Sequence, residues 1–260
     1  MSQTQEQFAH ERRLRISEYA QDEAFQALSR AWLQQSMQRK YVYNFDWMGR
    51  PIIQYPQDMV AMQELVWRVR PDLIIETGIA HGGSLVLSAS LLALLDMADA
   101  IEAGVTLDPR MSRRKVLGVD IDIRAHNRAA IEAHPMASRI AMIQGSAVAP
   151  EVVQQVQDFA QGYQRVLVCL DSMHTHDHVL GELNAYAPLV TPGSYCVVFD
   201  TFVEDMPPNF FADRPWDVGN NPKTAVRQWL AAHPEFEVDT EMEHRLQVTV
   251  APSGFLRRKA

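Results

Sequence analysis

Cysteine is scarce in this chain, and the marks of a secreted protein are missing. Cys169 and Cys196 are the only cysteines, and both stand inside apolar runs. Two such residues indicate buried reduced thiols rather than a disulfide framework, and therefore a reducing compartment. The N-terminal stretch MSQTQEQFAHERRLRISEYAQ is polar and charged, without the apolar segment of a secretory signal. We therefore expect a cytoplasmic protein.

Positive charge and long apolar runs are also in short supply. The formal net charge is −8, with 24 Lys and Arg against 32 Asp and Glu. An acidic chain is a poor nonspecific binder of nucleic acid, because phosphate contacts need a basic face. We find no uninterrupted apolar run of the roughly 20 residues that a membrane-spanning helix needs. These absences predict that neither nucleic acid nor a membrane is a partner.

Short apolar runs alternate with helical segments through most of the chain. The runs predict strands over residues 71–76, 115–120, 139–145, 165–171 and 194–200. The segments between and after them predict helices over residues 82–95, 124–134, 150–160, 176–187 and 222–232. This order is typical of an α/β fold with a mostly parallel, doubly wound sheet covered on both faces. Residues 235–239 and 245–251 are predicted to add an antiparallel hairpin.

The first 60 residues have a different pattern. Apolar residues recur at helical spacing over residues 5–40, and residues 41–56 are rich in aromatics and turn formers. We interpret residues 1–60 as a helical extension or cap, and residues 61–260 as the α/β domain. The helical extension and its apolar surface predict a homo-oligomer.

Carboxylates follow the predicted strands with unusual regularity. Glu76, Asp120, Asp171 and Asp200 stand at four of the five strand ends. In open sheets of this kind, ligands bind beyond the carboxyl ends of the strands. The acids therefore predict the edge of the sheet that carries the functional site.

A glycine-rich turn, E-T-G-I-A-H-G-G-S over residues 76–84, follows the first strand of the sheet. Gly78, Gly82 and Gly83 permit a tight turn and close approach of a ligand. The turn is neither G-x-G-x-x-G nor a Walker loop, and a plain strand-to-helix turn is the alternative.

Three further strand-end features refine that prediction. Asp120 is placed to accept ribose hydroxyls, and Gly145 and Ser146 are placed to border an adenine. Glu76 disfavours a pyrophosphate but suits a cationic sulfonium with its amino group. The combination favours a nucleotide-type cofactor.

A metal site is predicted from Asp171 and Asp200. Adjacent parallel strands lie about 5 Å apart, so these carboxylates repel each other unless a cation or proton separates them. Oxygen ligands suit Mg²⁺, whereas simple capping of the next helix or turn is the alternative. His174 is placed to take a substrate proton, and a zinc site with His176 and His178 is the rival interpretation.

The long loop 201–221 is predicted to cover a substrate pocket. It contains Phe210, Phe211 and Trp216, which are candidates to line that pocket, and an inert packed loop is the alternative. Trp47 and Tyr55 are either part of the same pocket or ordinary core residues.

Four segments together resemble a known family. They are PDLIIETGIAHGGSLVLSAS, VLGVDIDIRAHN, LDSMHTHDHVLGELNAYAPLVTPGSYCVVFDT and GNNPKTAVRQWL. They look like the cephalosporin hydroxylase family of class I S-adenosylmethionine-dependent O-methyltransferases, which is similar to macrolide and rhamnosyl sugar O-methyltransferases. The resemblance covers roughly residues 40–256 and implies a Rossmann-like methyltransferase fold and methyl transfer to a small-molecule hydroxyl, such as that of a sugar or diol.

The resemblance and the strand-end pattern together define the expected site. Asp171 and His174 are the catalytic candidates, and Asp171, Asp200 and Thr201 are the candidate ligands of Mg²⁺ or another divalent cation. The candidates for binding S-adenosylmethionine are Glu76, Thr77, Gly78, His81, Gly82, Ser84, Asp120, Ile121, Gly145, Ser146 and Asp171.

One departure from the family bears on the metal. Several members carry Glu-Asp where this chain has Phe199 followed by Asp200, so one expected ligand is missing, and Thr201, Glu204 or water are the candidates to replace it. Two alternative functions stay open from the sequence. They are a NAD-dependent oxidoreductase on a related fold and a non-catalytic nucleotide-binding protein.

Overall fold

The computed structural model describes residues 3–260, in which helices and strands alternate as expected. The α-helices are α1 (Gln3–Tyr19), α2 (Glu23–Gln38), α3 (Pro56–Val69), α4 (Gly83–Ala103), α5 (Ala125–Glu132), α6 (Pro150–Ala160), α7 (His176–Tyr186), α8 (Pro222–Leu230) and α9 (Thr240–Leu246). The strands are β1 (Phe45–Trp47), β2 (Arg50–Ile52), β3 (Leu73–Thr77), β4 (Lys115–Asp120), β5 (Ile140–Gln144), β6 (Val166–Leu170), β7 (Tyr195–Val198), β8 (Phe236–Val238) and β9 (Phe255–Arg258).

The main sheet has seven strands in the order β5-β4-β3-β6-β7-β9-β8. Strands β3 to β7 are parallel, and β9 runs antiparallel to both β7 and β8. β3 and β6 are buried along their whole length, because helices cover both faces of the sheet. This topology confirms the predicted Rossmann-like class I methyltransferase fold with its antiparallel C-terminal pair.

Two apolar cores lie on the two faces of the sheet. One packs the sheet against α3, α4 and α5, and the other packs it against α6, α7 and α8. Helix α4 has the length and the apolar composition of a membrane-spanning helix. The expectation that no segment is long and apolar enough to span a membrane is therefore wrong. Half of its most apolar window is buried in the protein, and buried core helices have the same composition.

The chain ends differently from the prediction at one place. The strand expected over residues 245–251 is wrong, since Arg245 and Leu246 complete α9 and the last strand is β9. Asp239 caps α9 by accepting from the Met242 N–H, and this stabilises the helix start. Val248 and Val250 are buried as a strand residue would be, but their segment contacts α3 instead of a neighbouring strand.

The N-terminal region also differs in detail. The single helical stretch expected over residues 5–40 is two helices, with α2 capped by Asp22. The irregular stretch contains the hairpin of β1 and β2, which contacts α4. The boundary between residues 60 and 61 stays a prediction. Cys169 and Cys196 are buried and unbonded, as expected.

A buried carboxylate, Asp58, ties α3 to the C-terminal segment. Its side chain is 1% exposed and accepts hydrogen bonds from the Thr249 hydroxyl and the Val250 N–H. Burial raises the pKa of Asp58 from its ordinary value of 3.8 to about 7, although the two hydrogen bonds oppose that shift. The folded protein therefore binds a proton at Asp58 more tightly than the unfolded chain does.

The raised pKa of Asp58 predicts a specific pH dependence of stability. Because protonated Asp58 favours the folded state, its contribution is present below about pH 4 and is lost as the pH rises towards 7. One proton corresponds to a slope of at most about 1.4 kcal/mol per pH unit in the free energy of unfolding. Asp58→Asn should make the decline between pH 4 and 7 shallower in urea unfolding. Asp46→Asn, at an exposed position, is the control, and equal pH profiles for all three proteins would contradict the assignment.

Candidate active site

The glycine turn lies at the carboxyl end of β3, between the ends of two neighbouring strands. Thr77 pairs with Val119 of β4 on one side and with Leu170 of β6 on the other. Gly78 follows with φ of 87°, and a Cβ there would lie 2.1 Å from the Asp171 carbonyl oxygen. A glycine is required at this position because of both the backbone conformation and this contact. The turn is therefore held directly against Asp171.

Hydrogen bonds from three directions fix the same turn. Asp120 Oδ2 accepts from the Ile79 N–H at 2.7 Å and the Ala80 N–H at 3.3 Å. The Asn127 amide donates to the Ala80 carbonyl at 2.9 Å, and the Arg50 Nε donates to the His81 carbonyl at 3.0 Å. The sequence reasoning missed Arg50 and Asn127, since neither stands at a strand end. The turn is pre-organised rather than loose.

Asp120 has less free acceptor capacity than predicted. Its Oδ1 accepts from the Asp122 N–H at 3.0 Å, in addition to the two contacts of Oδ2. A carboxylate offers about four acceptor sites, so about one stays free for a ribose hydroxyl unless the turn relaxes. The predicted ribose contact therefore remains a prediction, with room for one hydrogen bond in this conformation.

The other predicted cofactor residues lie along the same edge. The Gly145 N–H donates to the Asp120 carbonyl at 2.8 Å, so Gly145 and Ser146 lie beside the end of β4. Ile121 is 71% exposed and directly follows Asp120. Gly82, with φ of 83°, leads into α4, and a Cβ there would contact Ile131. The structure thus brings the predicted set together.

Glu76 is the one acid of the glycine turn, and it is buried. It is 4% exposed, and the Ser88 hydroxyl donates to its Oε1. Burial raises the pKa of Glu76, and hydrogen bonds from Ser88 and Ser84 oppose the shift. Within residues 3–260 no lysine or arginine pairs with it. It lines a cavity together with Thr77, Gly78, Ser84 and Asp171.

A cluster of possible metal ligands adjoins that cavity. One ligand atom each from Asp171, His174 and Asp200 lies within 4.8 Å of the others. His174 Nε2 lies 3.0 Å from Asp200 Oδ2. Asp200 has φ of 56°, a left-handed conformation that few residues other than glycine adopt. Such strain at a strand end is a common feature of functional sites.

The carboxylates of this cluster are electrostatically unfavourable as they stand. Burial raises the pKa of Asp171 well above its ordinary value, and repulsion from Asp200, Glu76, Glu182 and Asp58 raises it further. Burial also raises the pKa of Asp200, while His174 opposes that shift. A divalent cation would relieve this repulsion, and two carboxylates provide the oxygen ligands that Mg²⁺ prefers. The residues present fit such an ion.

Thr201 and Glu204, the other candidate ligands, are engaged elsewhere. The buried Thr201 hydroxyl donates to the Pro252 carbonyl at 2.7 Å. Glu204 accepts from the Gly219 N–H at 2.8 Å and from the Asn221 amide, which closes the loop 201–221 on itself. Their roles as metal ligands stay predictions. Phe199 is buried and lines the cavity next to Asp171.

The neighbouring histidines serve the helix packing instead of the cluster. His176 bonds Thr224 at 2.8 Å and Gln228 at 3.0 Å, so it links α7 to α8. His178 contacts Ser172 at 3.0 Å. The Ser172 hydroxyl donates at 2.7 Å to Glu182, a fully buried acid that the sequence reasoning missed. An acid on the apolar face of α7, between Val179 and Leu183, is a signal that would have revealed it.

The aromatic candidates divide between site and core. Trp216 packs edge-on against His174, with ring centroids 4.7 Å apart. Phe211 packs on Phe202 in the core, and Phe210 packs on Phe211. Tyr55 is a fully buried core residue that stacks with Tyr41. Trp47 donates to Ser90 on α4 at 3.0 Å. Among these residues, Trp216 is the one in contact with a cluster residue.

Comparison with known proteins gives a consistent result. The sequence model of the family described as Rhamnosyl O-methyltransferase/CmcI matches residues 39–259. The rhamnosyl O-methyltransferase of Mycobacterium leprae is 29% identical over 217 residues, covering 82% of this chain and 82% of that protein. That of Mycobacterium tuberculosis H37Rv is 29% identical over 208 residues, covering 77% and 73%.

Solved structures show the same fold. A structure of CmcI with Mg and SAM has a TM-score of 0.55 at 18% identity, covering 84% of this chain and 78% of that chain. The apo structure of CalS11, described as a TDP-rhamnose 3'-O-methyltransferase of calicheamicin biosynthesis, has a TM-score of 0.50 at 16% identity, covering 89% and 93%. At these identities the likeness concerns the fold alone.

The contact of Gly78 with Asp171 predicts a measurable stability difference. Gly162 has nearly the same φ, 89° against 87°, but a Cβ there would meet no atom within 4 Å. Gly162→Ala should therefore cost only the backbone strain, about 1–2 kcal/mol. Gly78→Ala should cost about 1–3 kcal/mol more, because its methyl group overlaps the Asp171 carbonyl. Equal losses of unfolding free energy in urea titrations would show that the turn does not press against Asp171.

Proposed function

Because the chain belongs to the rhamnosyl O-methyltransferase/CmcI family, we propose that its strand-end site methylates a hydroxyl group of a small molecule, with S-adenosylmethionine as donor. The family is one of O-methyltransferases, and use of a divalent metal is part of the proposal. One observation identifies the residues proposed to perform this activity. Asp171, His174 and Asp200 form a cluster directly beside the glycine turn.

The cofactor is proposed to lie along the turn and the ends of β3, β4 and β5. When bound, it supplies an electrophilic methyl group on a positively charged sulfonium. Glu76, buried without a basic partner in residues 3–260, is suited to pair with the amino group of its methionine part. Asp120 is suited to accept a ribose hydroxyl, and Ser146 lies where the adenine is expected.

The divalent cation is proposed to be held by Asp171 and Asp200. When bound, it supplies positive charge that favours the deprotonated form of a nearby hydroxyl. Asp171 also carries the contact to the glycine turn, so a single residue fixes the distance between the cofactor turn and the cation site. Positioning of this kind contributes strongly to methyl transfer, because the reacting groups must lie in line.

His174 is proposed as the base that takes the substrate proton. Its Nε2 lies 3.0 Å from Asp200, so the carboxylate orients the ring and would stabilise the imidazolium that forms. Trp216 packs against the same ring and limits its movement. Loop 201–221 carries Trp216 and therefore contacts the cluster at His174.

For the substrate class, we propose a sugar hydroxyl, either free or in a glycosylated product. The relatives from Mycobacterium named rhamnosyl O-methyltransferase support this class. A vicinal diol, which presents two oxygens to one cation, suits the site. The oxidoreductase alternative lacks support, since family membership and the absence of G-x-G-x-x-G both disfavour it. The non-catalytic alternative rests on Phe199 alone.

The cytoplasmic location and the homo-oligomer stay predictions. The same holds for the absence of nucleic acid and membrane partners. They follow from charge, composition and the helical N-terminal region, and each is open to direct measurement.

The first test of cofactor binding concerns the charge of Glu76. Glu76→Gln keeps the shape but removes the charge, so affinity for S-adenosylhomocysteine should fall about 10-fold or more in titration calorimetry. Its thermal stability should stay near that of the unaltered protein, since a buried acid is replaced by a neutral amide. Asp122→Asn, at an exposed neighbouring position, should bind normally. Unchanged affinity in Glu76→Gln would remove this residue from the cofactor site.

The test of catalysis concerns the proposed base, His174. Turnover should be measured with S-adenosylmethionine and a panel of rhamnosyl compounds and other vicinal diols. His174→Ala should lower kcat about 10²–10⁴-fold while S-adenosylhomocysteine affinity stays constant, because the proton acceptor is lost but the turn is not. His176→Ala, which disrupts only the α7–α8 contact, should retain activity. Full activity in His174→Ala would exclude it as the base.

A further inference from the structure

Gln54 is a buried polar residue that the mechanism above leaves without a role. It follows β2, is 7% exposed, and donates from Nε2 to Asp171 Oδ2 at 3.3 Å. Its Oε1 is also buried and has no hydrogen-bond partner within residues 3–260. Leaving a buried amide oxygen without a partner is energetically unfavourable. Such an acceptor is available to a ligand from outside the chain.

The surroundings of Gln54 define the charge of that ligand. Gln54 lines the same cavity as Asp58, Glu76, Asp171 and Phe199. Three of these neighbours are carboxylates, so the cavity attracts cations and repels anions. Phe199, which follows β7 and precedes Asp200, contributes only an aromatic ring. A buried acceptor on a residue that lines an acidic cavity is therefore suited to a positively charged ligand.

We propose that Gln54 Oε1 is a further ligand of the divalent cation held by Asp171 and Asp200. This inference rests on the cation site of the proposed function. Side-chain amide oxygens are common ligands of hard divalent cations, and a neutral ligand adds no repulsion to carboxylates that already repel each other. The Nε2 contact places the amide at Asp171, and it leaves Asp171 Oδ1 without a contact from Gln54.

The amino group of the cofactor is the competing ligand for the same oxygen. The cation is favoured because the Gln54 amide contacts Asp171, a cluster residue, whereas Glu76 already offers a buried carboxylate to an amino group. Experiments can distinguish these two ligands of Gln54, because cation binding can be measured without cofactor and cofactor binding without cation.

The test compares Gln54→Leu with Gln228→Leu. Gln228 likewise hydrogen-bonds one side chain, that of His176 at the start of α7, but lies outside the cluster. Mn²⁺ affinity is measured by electron paramagnetic resonance without cofactor, and the visible spectrum of bound Co²⁺ reports the ligand set. Affinity for S-adenosylhomocysteine is measured by calorimetry in cation-free buffer. Gln54→Asn, an amide one methylene shorter, serves if Gln54→Leu does not fold.

The expected result is at least about 10-fold weaker Mn²⁺ binding and an altered Co²⁺ spectrum in Gln54→Leu, with unchanged cation-free affinity for S-adenosylhomocysteine. Gln228→Leu should match the unaltered protein in all three measurements. Weaker Mn²⁺ binding with an unchanged Co²⁺ spectrum would overturn direct ligation, since Gln54 would then only position Asp171. Unchanged Mn²⁺ affinity, or a loss confined to S-adenosylhomocysteine, would also overturn it.

The outcome is separable from that of the proposed function. If the unaltered protein binds no Mn²⁺ at millimolar concentration, the inference on Gln54 fails. Methyl transfer by the unaltered protein in the presence of a chelator then shows whether the methyltransferase assignment survives without the cation. If the unaltered protein binds Mn²⁺ but transfers no methyl group, the Gln54 inference is still decided by the variants.

Discussion

Desolvation of neighbouring carboxylates is the constraint on which this site depends. Burial raises the pKa of Asp58, Glu76, Asp171 and Asp200, and repulsion from neighbouring acids raises the pKa of Asp171 and Asp58 further. No lysine or arginine pairs with any of the four within residues 3–260. Such an arrangement opposes folding unless protons or cations neutralise it. The proposed cofactor and the proposed divalent cation each carry positive charge that would do so.

The opposite edge of the sheet shows that this chain can neutralise its acids when function does not require otherwise. Arg114 and Arg139 precede β4 and β5, and both pair with Asp96 of α4, while Arg114 also pairs with Asp99. These acids lie at the amino ends of the strands, where no ligand binds in a sheet of this kind. Within residues 3–260, Glu76, Asp171 and Asp200 at the carboxyl ends have no such arginine partner. The two ends of the sheet thus differ in whether their acids are neutralised by arginine.

The fold was largely predictable because each buried parallel strand is a near-continuous apolar run that ends at a polar residue. The carboxyl ends of parallel strands lie at the same edge of a sheet. For that reason, the sequence predicted that Glu76, Asp171 and Asp200 lie near one another. The contributions of Gln54 and Asp58 were not predictable, since their partners lie more than a hundred residues away and no periodicity connects them. The strand predicted over residues 245–251 was wrong because the buried valines of this segment alternate as strand residues do. Its backbone, however, donates to the Asp58 side chain instead of pairing with a neighbouring strand.

The most direct test of this account is the position of a cation relative to Asp171 and Asp200. Crystals grown with Mn²⁺ and S-adenosylhomocysteine allow the metal to be located by its anomalous scattering. The account predicts one strong peak about 2–2.5 Å from an oxygen of each carboxylate, on the side that faces the bound cofactor. Saturating Mn²⁺ without a peak between these two residues, or with the metal bound at another part of the chain, would contradict it.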